Sequence, residues 1–292
     1  MHYKTLVILG NGFDRDLGID LSFNAYCRNR HCIAYHPEKK LWSNFENDIR
    51  QKILSWDKER NEESAKEINS EWIAFKKNFS YFFTDVISMV KDTIDNSSYA
   101  YNMLKSFSKT SSVYTFNYTY PYEYVELDNA KEFTFVHGRY YCDSFRDDFL
   151  TMSQSPQMVV GIDCKRIPIN VKENAYLSPI VKQLNSHFVI SDIEESILTA
   201  KYVVFFGFSM SITDADYFDE YFSIITSGKS ECKTIFYITF NEEGFENFQR
   251  NIEEMGYDYQ TISNHIQIIP IFTDKKLRVQ TAETFKQVLS LI

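Results

Sequence analysis

The residues with chemistry to offer stand at the ends of apolar runs. Thr5-Leu6-Val7-Ile8-Leu9 leads straight into Gly10-Asn11-Gly12-Phe13-Asp14. A β-prone run ending in Gly-x-Gly is how an α/β nucleotide-binding domain begins. Gly10 permits the tight turn, and Gly12, having no Cβ, leaves room for a phosphate-bearing ligand to approach the backbone. The helix that follows would turn its free N–H groups toward that phosphate. Residue 15 is Arg, so the G-x-G-x-x-G spacing is broken, and the next glycine is Gly18. A plain strand-to-loop turn accounts for this segment equally well. Four further runs end in comparable residues: 112–116 in Asn117-Tyr118-Thr119, 132–136 in His137-Gly138-Arg139, 202–206 in Gly207-Phe208-Ser209-Met210-Ser211 with Asp214 and Asp216 beyond, and 234–240 in Asn241-Glu242-Glu243. Ligands in open parallel sheets bind outside the carboxyl ends of the strands. Turns supply glycines and small polar residues for their own reasons, but they do not specially supply a His-Gly.

The elements that must position these residues follow from periodicity. Strands are expected at 5–9, 112–116, 132–136, 202–206, 234–240 and 265–270, with a short one at 158–162. Helices are expected at 21–30 with Asp20 as N-cap, at 179–198, at 215–226 with Asp214 as an alternative N-cap, at 243–255 and at 279–291. Between the first two strands the chain reads as helical. Trp42, Phe45, Ile49 and Ile53 fall at i, i+3, i+7 and i+11, and 71–90 carries a second, aromatic-rich pattern. Strands alternating with helices imply a parallel sheet covered on both faces. The expectation is an α/β, Rossmann-like single domain over 1–292 with a helical insertion at 41–110. Glu46, on the first inserted helix, reads as a solvated or structural residue, with a second cleft-facing acid as the alternative.

Composition excludes several classes. A chain of 292 residues with 44% hydrophobic residues has ample core. Its 25 Phe and 20 Tyr must be largely core, though some could stack on a ligand ring. A formal charge of −9 disfavours unaided binding to nucleic acid. Cys27, Cys32, Cys142, Cys164 and Cys232 form no C-x-x-C pair and read as reduced thiols of a cytoplasmic protein. His31, Cys32 and His36 with Cys27 are close enough to suggest a metal, but helix-end and loop roles explain them, and no metal is expected. No signal peptide and no membrane-spanning run are expected.

Several blocks together resemble a known family. Gly10-Asn11-Gly12-Phe13-Asp14 with Gly18-Ile19, Trp42-Ser43-Asn44-Phe45-Glu46, Thr115-Phe116-Asn117-Tyr118-Thr119, Val136-His137-Gly138 and Gly207-Phe208-Ser209-Met210 are similar, in the same order, to blocks of the AbiH family of phage abortive-infection proteins. The likeness runs to about residue 220. More distantly, the same blocks resemble sirtuins and the Sir2-like NAD hydrolases of bacterial defence. Their glycine loop falls on Gly10 through Ile19, their T-x-N on Thr115-Phe116-Asn117, their H-G on His137-Gly138 and their G-T-S-L on Gly207-Phe208-Ser209-Met210.

The resemblance implies a Sir2-like fold and an NAD site in an anti-phage effector. Cleaving the nicotinamide–ribose bond passes through an oxocarbenium-like state. On that reading Asn117 holds a ribose hydroxyl or water, and His137 is the general base. Gly10, Asn11, Gly12, Phe13 and Asp14 carry the diphosphate loop. Gly207 and Ser209 reach phosphate or ribose, and Asp14 or Asp214 accepts from ribose hydroxyls. Such an activity must be restrained, so a homo-oligomer or a gating partner protein is implied. The departures are specific: Thr119 replaces the sirtuin acid that reads the nicotinamide amide, Leu21-Ser22-Phe23 replaces D-F-R, Asp14 replaces the loop serine, and the zinc module is missing. Asp14 beside a diphosphate would repel it unless a hydroxyl or a cation lay between. A strand-end histidine and a turn-capping asparagine remain alternatives for His137 and Asn117. A non-catalytic nucleotide-binding sensor or scaffold, and a metal-dependent nucleotide hydrolase or nuclease using Asp14, Asp214 and Asp216, are the alternative functions.

Overall fold

A computed structural model describes residues 5–29, 42–90, 93–108, 111–127, 130–140, 158–162, 168–185, 191–230 and 232–292. Six strands form one sheet: β1 (Thr5–Leu9), β2 (Ser112–Thr115), β3 (Thr134–Phe135), β4 (Tyr202–Phe206), β5 (Thr234–Thr239) and β6 (Gln267–Phe272). Every pairing is parallel, and the order is β3-β2-β1-β4-β5-β6. That is the doubly wound arrangement in which strand order reverses between β1 and β4. β1 and β4 are continuous apolar runs because they lie at the centre, buried on both faces. β6 accommodates Pro270 because it is an edge strand, where a missing N–H breaks no ladder on the open side.

The helices are α1 (Asn11–Asp16), α2 (Phe23–Arg28), α3 (Trp42–Glu59), α4 (Glu62–Ser88), α5 (Tyr99–Ser106), α6 (Ile169–Glu173), α7 (Ser191–Thr199), α8 (Asp219–Thr226), α9 (Glu242–Glu254), α10 (Tyr259–His265) and α11 (Arg278–Leu291). Among the described residues, none is long and apolar enough to cross a membrane. The chain divides into two compact units: Met1–Ile19, Val90–Val136 and Val189–Ile292 form the first, and Asp20–Met89 with His137–Phe188 form the second. The helical stretch expected at 41–110 is shared between them, with α3 and α4 in the second unit and α5 in the first.

The first unit contains the sheet. Phe205, Phe206, Phe218, Phe222 and Phe248 are buried within it. The second unit is helical. Tyr26 of α2 meets Phe75, Phe79 and Phe82 of α4 in edge-to-face geometry, with ring centroids 5.1–5.7 Å apart. Such pairs add to the area they bury, so much of the aromatic content is core. Ile49 and Ile53 of α3 are buried as their spacing predicts; the side chains of Trp42 and Phe45 lie outside the described residues.

Several boundaries differ from the sequence reading. Ser22, not Asp20, caps α2: its hydroxyl accepts the Ala25 N–H, while Asp20 accepts the Ser22 N–H. The stretch 179–198 is not one helix. Pro179 sits at the start of a 3-10 turn, Ser178–Ile180, a second turn follows at Lys182–Leu184, and α7 begins only at Ser191. A 3-10 turn, Ile212–Tyr217, precedes α8, and its N-cap is Ser211, so Asp214 lies inside the turn. Residues 158–162 form no strand of the sheet; Ile162 makes an isolated bridge to Val181. α10 arises where no helix is expected, with Asp258 accepting the Gln260 and Thr261 N–H groups as its cap.

Candidate active site

The ends of β1 and β4 are held together by backbone. Gly10 N–H donates to Phe206 O and Gly12 N–H to Gly207 O, both at 2.9 Å. A Cβ on Gly12 would lie 2.5 Å from Gly207 Cα, and one on Gly10 would lie 2.5 Å from Phe208 Cα. The glycines are therefore required by this close approach. Gly207 has φ +60° and meets Gly12 Cα from the other side. Gly12's open side and its N–H are thus both taken up by Gly207. Phe13 is core, its ring edge-on to Phe206 at 5.1 Å.

β2 adds the side chains. Asn117 is buried; its Nδ2 donates to Gly10 O at 2.9 Å and its N–H to Thr115 Oγ1 at 3.1 Å. It pins the loop after β1 and keeps its amide oxygen out of that contact. Thr119 Oγ1 donates to Asp14 Oδ2 at 2.7 Å. Asp14 is 1% exposed and its Oδ1 has no hydrogen-bond partner. Burial pushes its carboxyl up to about 7, against a smaller downward pull from the Thr119 hydroxyl. Tyr124 is buried nearby, and burial, then the Asp14 charge, hold its phenol well above the usual range. Asp16, two residues beyond Asp14, shows what a satisfied carboxylate looks like here: it accepts the Ala100 N–H at 2.8 Å and pairs with Arg278 at 3.2 Å.

On β4 the chain turns through Met210, a buried residue at φ +50°, a conformation costly for a residue with a Cβ. Its neighbours hold the turn: Tyr237 Oη donates to Phe208 O and Asn251 Nδ2 to Ser209 O, both at 2.7 Å. The Ser209 side chain is exposed. Asp214 is buried and accepts from Ser211 Oγ at 3.1 Å.

Gly10, Asn11, Gly12, Phe13, Asp14, Asn117, Gly207, Ser209 and Asp214 all fall in the first unit; His137 falls in the second. His137 is buried, and burial, then the Lys182 ammonium, hold its imidazole well below the ordinary range. Lys182 Nζ lies 2.6 Å from Glu46 Oε1, both side chains 4% exposed. Glu46 is thus a buried ion-pair partner, not a solvated helix residue. Tyr124 and Lys182 carried no sequence signal, since neither stands at a strand end; Thr119 did, two residues past Asn117. Among the described residues no group of His, Cys, Asp and Glu is arranged to hold a metal. His31, Cys32 and His36 lie outside them, and Cys27 is a half-buried thiol.

The profile of the family described as bacteriophage abortive infection AbiH matches residues 6–237. No curated protein and no solved structure matches the chain.

Proposed function

Since this chain belongs to the AbiH family of bacteriophage abortive infection proteins, a membership that implies an anti-phage role, we propose that it is a cytoplasmic effector hydrolysing NAD at the nicotinamide–ribose bond. The observation that carries the reading is the convergence of Asp14, Asn117 and Thr119, all buried, at the carboxyl ends of β1 and β2 beside the reversal of strand order. Buried polar groups cost free energy unless paired, and Asp14 carries that cost with one oxygen unpartnered. In the reaction, water adds to C1′ of the nicotinamide ribose. The C1′–N bond breaks, its electron pair neutralises the pyridinium, and the water's proton passes to a base. Asn117 orients the ribose or the water. The resemblance gives His137 the part of the base, and its own environment favours the neutral imidazole, the form that accepts a proton. Restraint falls to self-assembly or a partner protein.

A second reading is nucleotide binding without turnover; in either reading Gly12 is not a phosphate donor, because Gly207 occupies its open side and takes its N–H. Nicotinamide release from NAD by the purified protein separates the two. Turnover in the wild type, reduced about 100-fold or more in His137→Ala and Asn117→Ala, supports hydrolysis. Saturable NAD binding without product supports the binding module. Activity abolished by chelator would favour a metal-dependent hydrolase.

A further inference from the structure

Asp14 differs from Asp16 and Glu46, two carboxylates whose side chains are also buried. Asp16 has Arg278 and a backbone N–H, and Glu46 has Lys182. Asp14 has one neutral hydroxyl, that of Thr119, and among the described residues no cation pairs with it. Its second oxygen is buried without a partner. It also sits on α1, two residues beyond Gly12, in the segment to which the resemblance gives the diphosphate. An ionised Asp14 would be unfavourable twice, through its own burial and through repulsion of an anionic ligand. A proton on the carboxyl removes both costs and leaves an O–H donor in place of a charge.

We propose that Asp14 is a carboxylic acid in the ligand-bound protein, so that an anionic nucleotide docking at residues 10–14 takes up a proton as it binds. This rests on the reading that the loop holds a nucleotide, and it adds a regulation: affinity coupled to pH near neutrality. The carboxyl of the free protein, raised to about 7 by burial, is poised for this. Among the described residues Tyr124 is a titratable group that feels the Asp14 charge, and burial keeps its phenol protonated well past neutral pH. Asp14 is therefore the group of this cluster that changes charge in the physiological range.

The test is calorimetric titration of ADP-ribose, a diphosphate with no group of its own titrating near neutrality, into the full-length protein. Runs at about pH 8 in two buffers of different ionisation heat give the protons exchanged. Wild type is expected to take up most of one proton per ligand, and its affinity to fall by up to about tenfold per pH unit above 7. Asp14→Asn, of the same shape and permanently neutral, is expected to bind with that uptake gone and affinity flat. Binding without proton uptake, or uptake unchanged in Asp14→Asn, overturns the proposal and leaves the nucleotide reading standing. Absence of ADP-ribose binding overturns both. Should Asp14→Asn not fold, the wild-type Asp14 carboxyl followed by ¹³C NMR decides: its midpoint must rise with ADP-ribose, and an unmoved midpoint contradicts the proposal.

Discussion

Asp14 in the first unit and Glu46 in the second meet the same problem, a carboxylate out of water, and answer it in opposite ways. Glu46 is neutralised by a cation, with Lys182 Nζ at 2.6 Å. Asp14 has only a threonine hydroxyl, and burial raises its carboxyl to about 7, so that a proton can neutralise it. The first answer holds across the whole pH range in which both partners are charged. The second depends on pH and lapses in the alkaline direction. A paired charge is a fixed structural element, whereas a protonated one can respond to what binds beside it.

The comparison is broken most severely by removing the cation. Lys182→Met leaves Glu46 buried and uncompensated, and is expected to cost about 3–5 kcal/mol in urea unfolding. Adding Glu46→Leu should return most of that loss. If the single variant cost under about 1 kcal/mol, Glu46 would not depend on Lys182 in the way proposed.

Asp14→Asn sharpens the other half. The folded-state carboxyl, at about 7, lies above the unfolded value of 3.8. The folded state therefore binds the extra proton, and this group's stabilisation is complete below 3.8 and lost as pH rises toward 7. The stability of Asp14→Asn relative to wild type should rise by roughly 2–3 kcal/mol between about pH 5 and pH 8. A difference that stays constant with pH would mean the carboxyl titrates normally.

Thr119→Val is the smallest perturbation. Its hydroxyl favours the ionised form of Asp14, so its loss should move the Asp14 midpoint further up. The expected cost is about 1 kcal/mol above pH 7, and less below. The same stability series reads it.

The sheet was legible because its strands are unbroken apolar runs. β1 and β4 lie where the pattern puts them, since central parallel strands leave no polar face to confuse the period. β3, at the opposite edge, is only Thr134–Phe135, shorter than the run 132–136 expected. The stretch 179–198 misled because its apolar spacing suits a helix, while its first part forms short turns, with Pro179 in the first and Val181 bridged to Ile162. At the site, the strand-end rule found Gly10, Asn117 and Gly207, whose contacts follow from topology. It could not tell that Gly12 opens onto Gly207 rather than onto solvent, nor that Glu46 meets Lys182. Both depend on packing between segments far apart in sequence, and neither leaves a spacing signature.

The central claim is that burial raises the Asp14 midpoint in the folded protein to near neutral pH. Selective ¹³C labelling of aspartate carboxyls, with Asp14→Asn to assign the signal, measures it directly. A midpoint near 7 is the result predicted; a midpoint near 3.8, the ordinary value for this group, would contradict it.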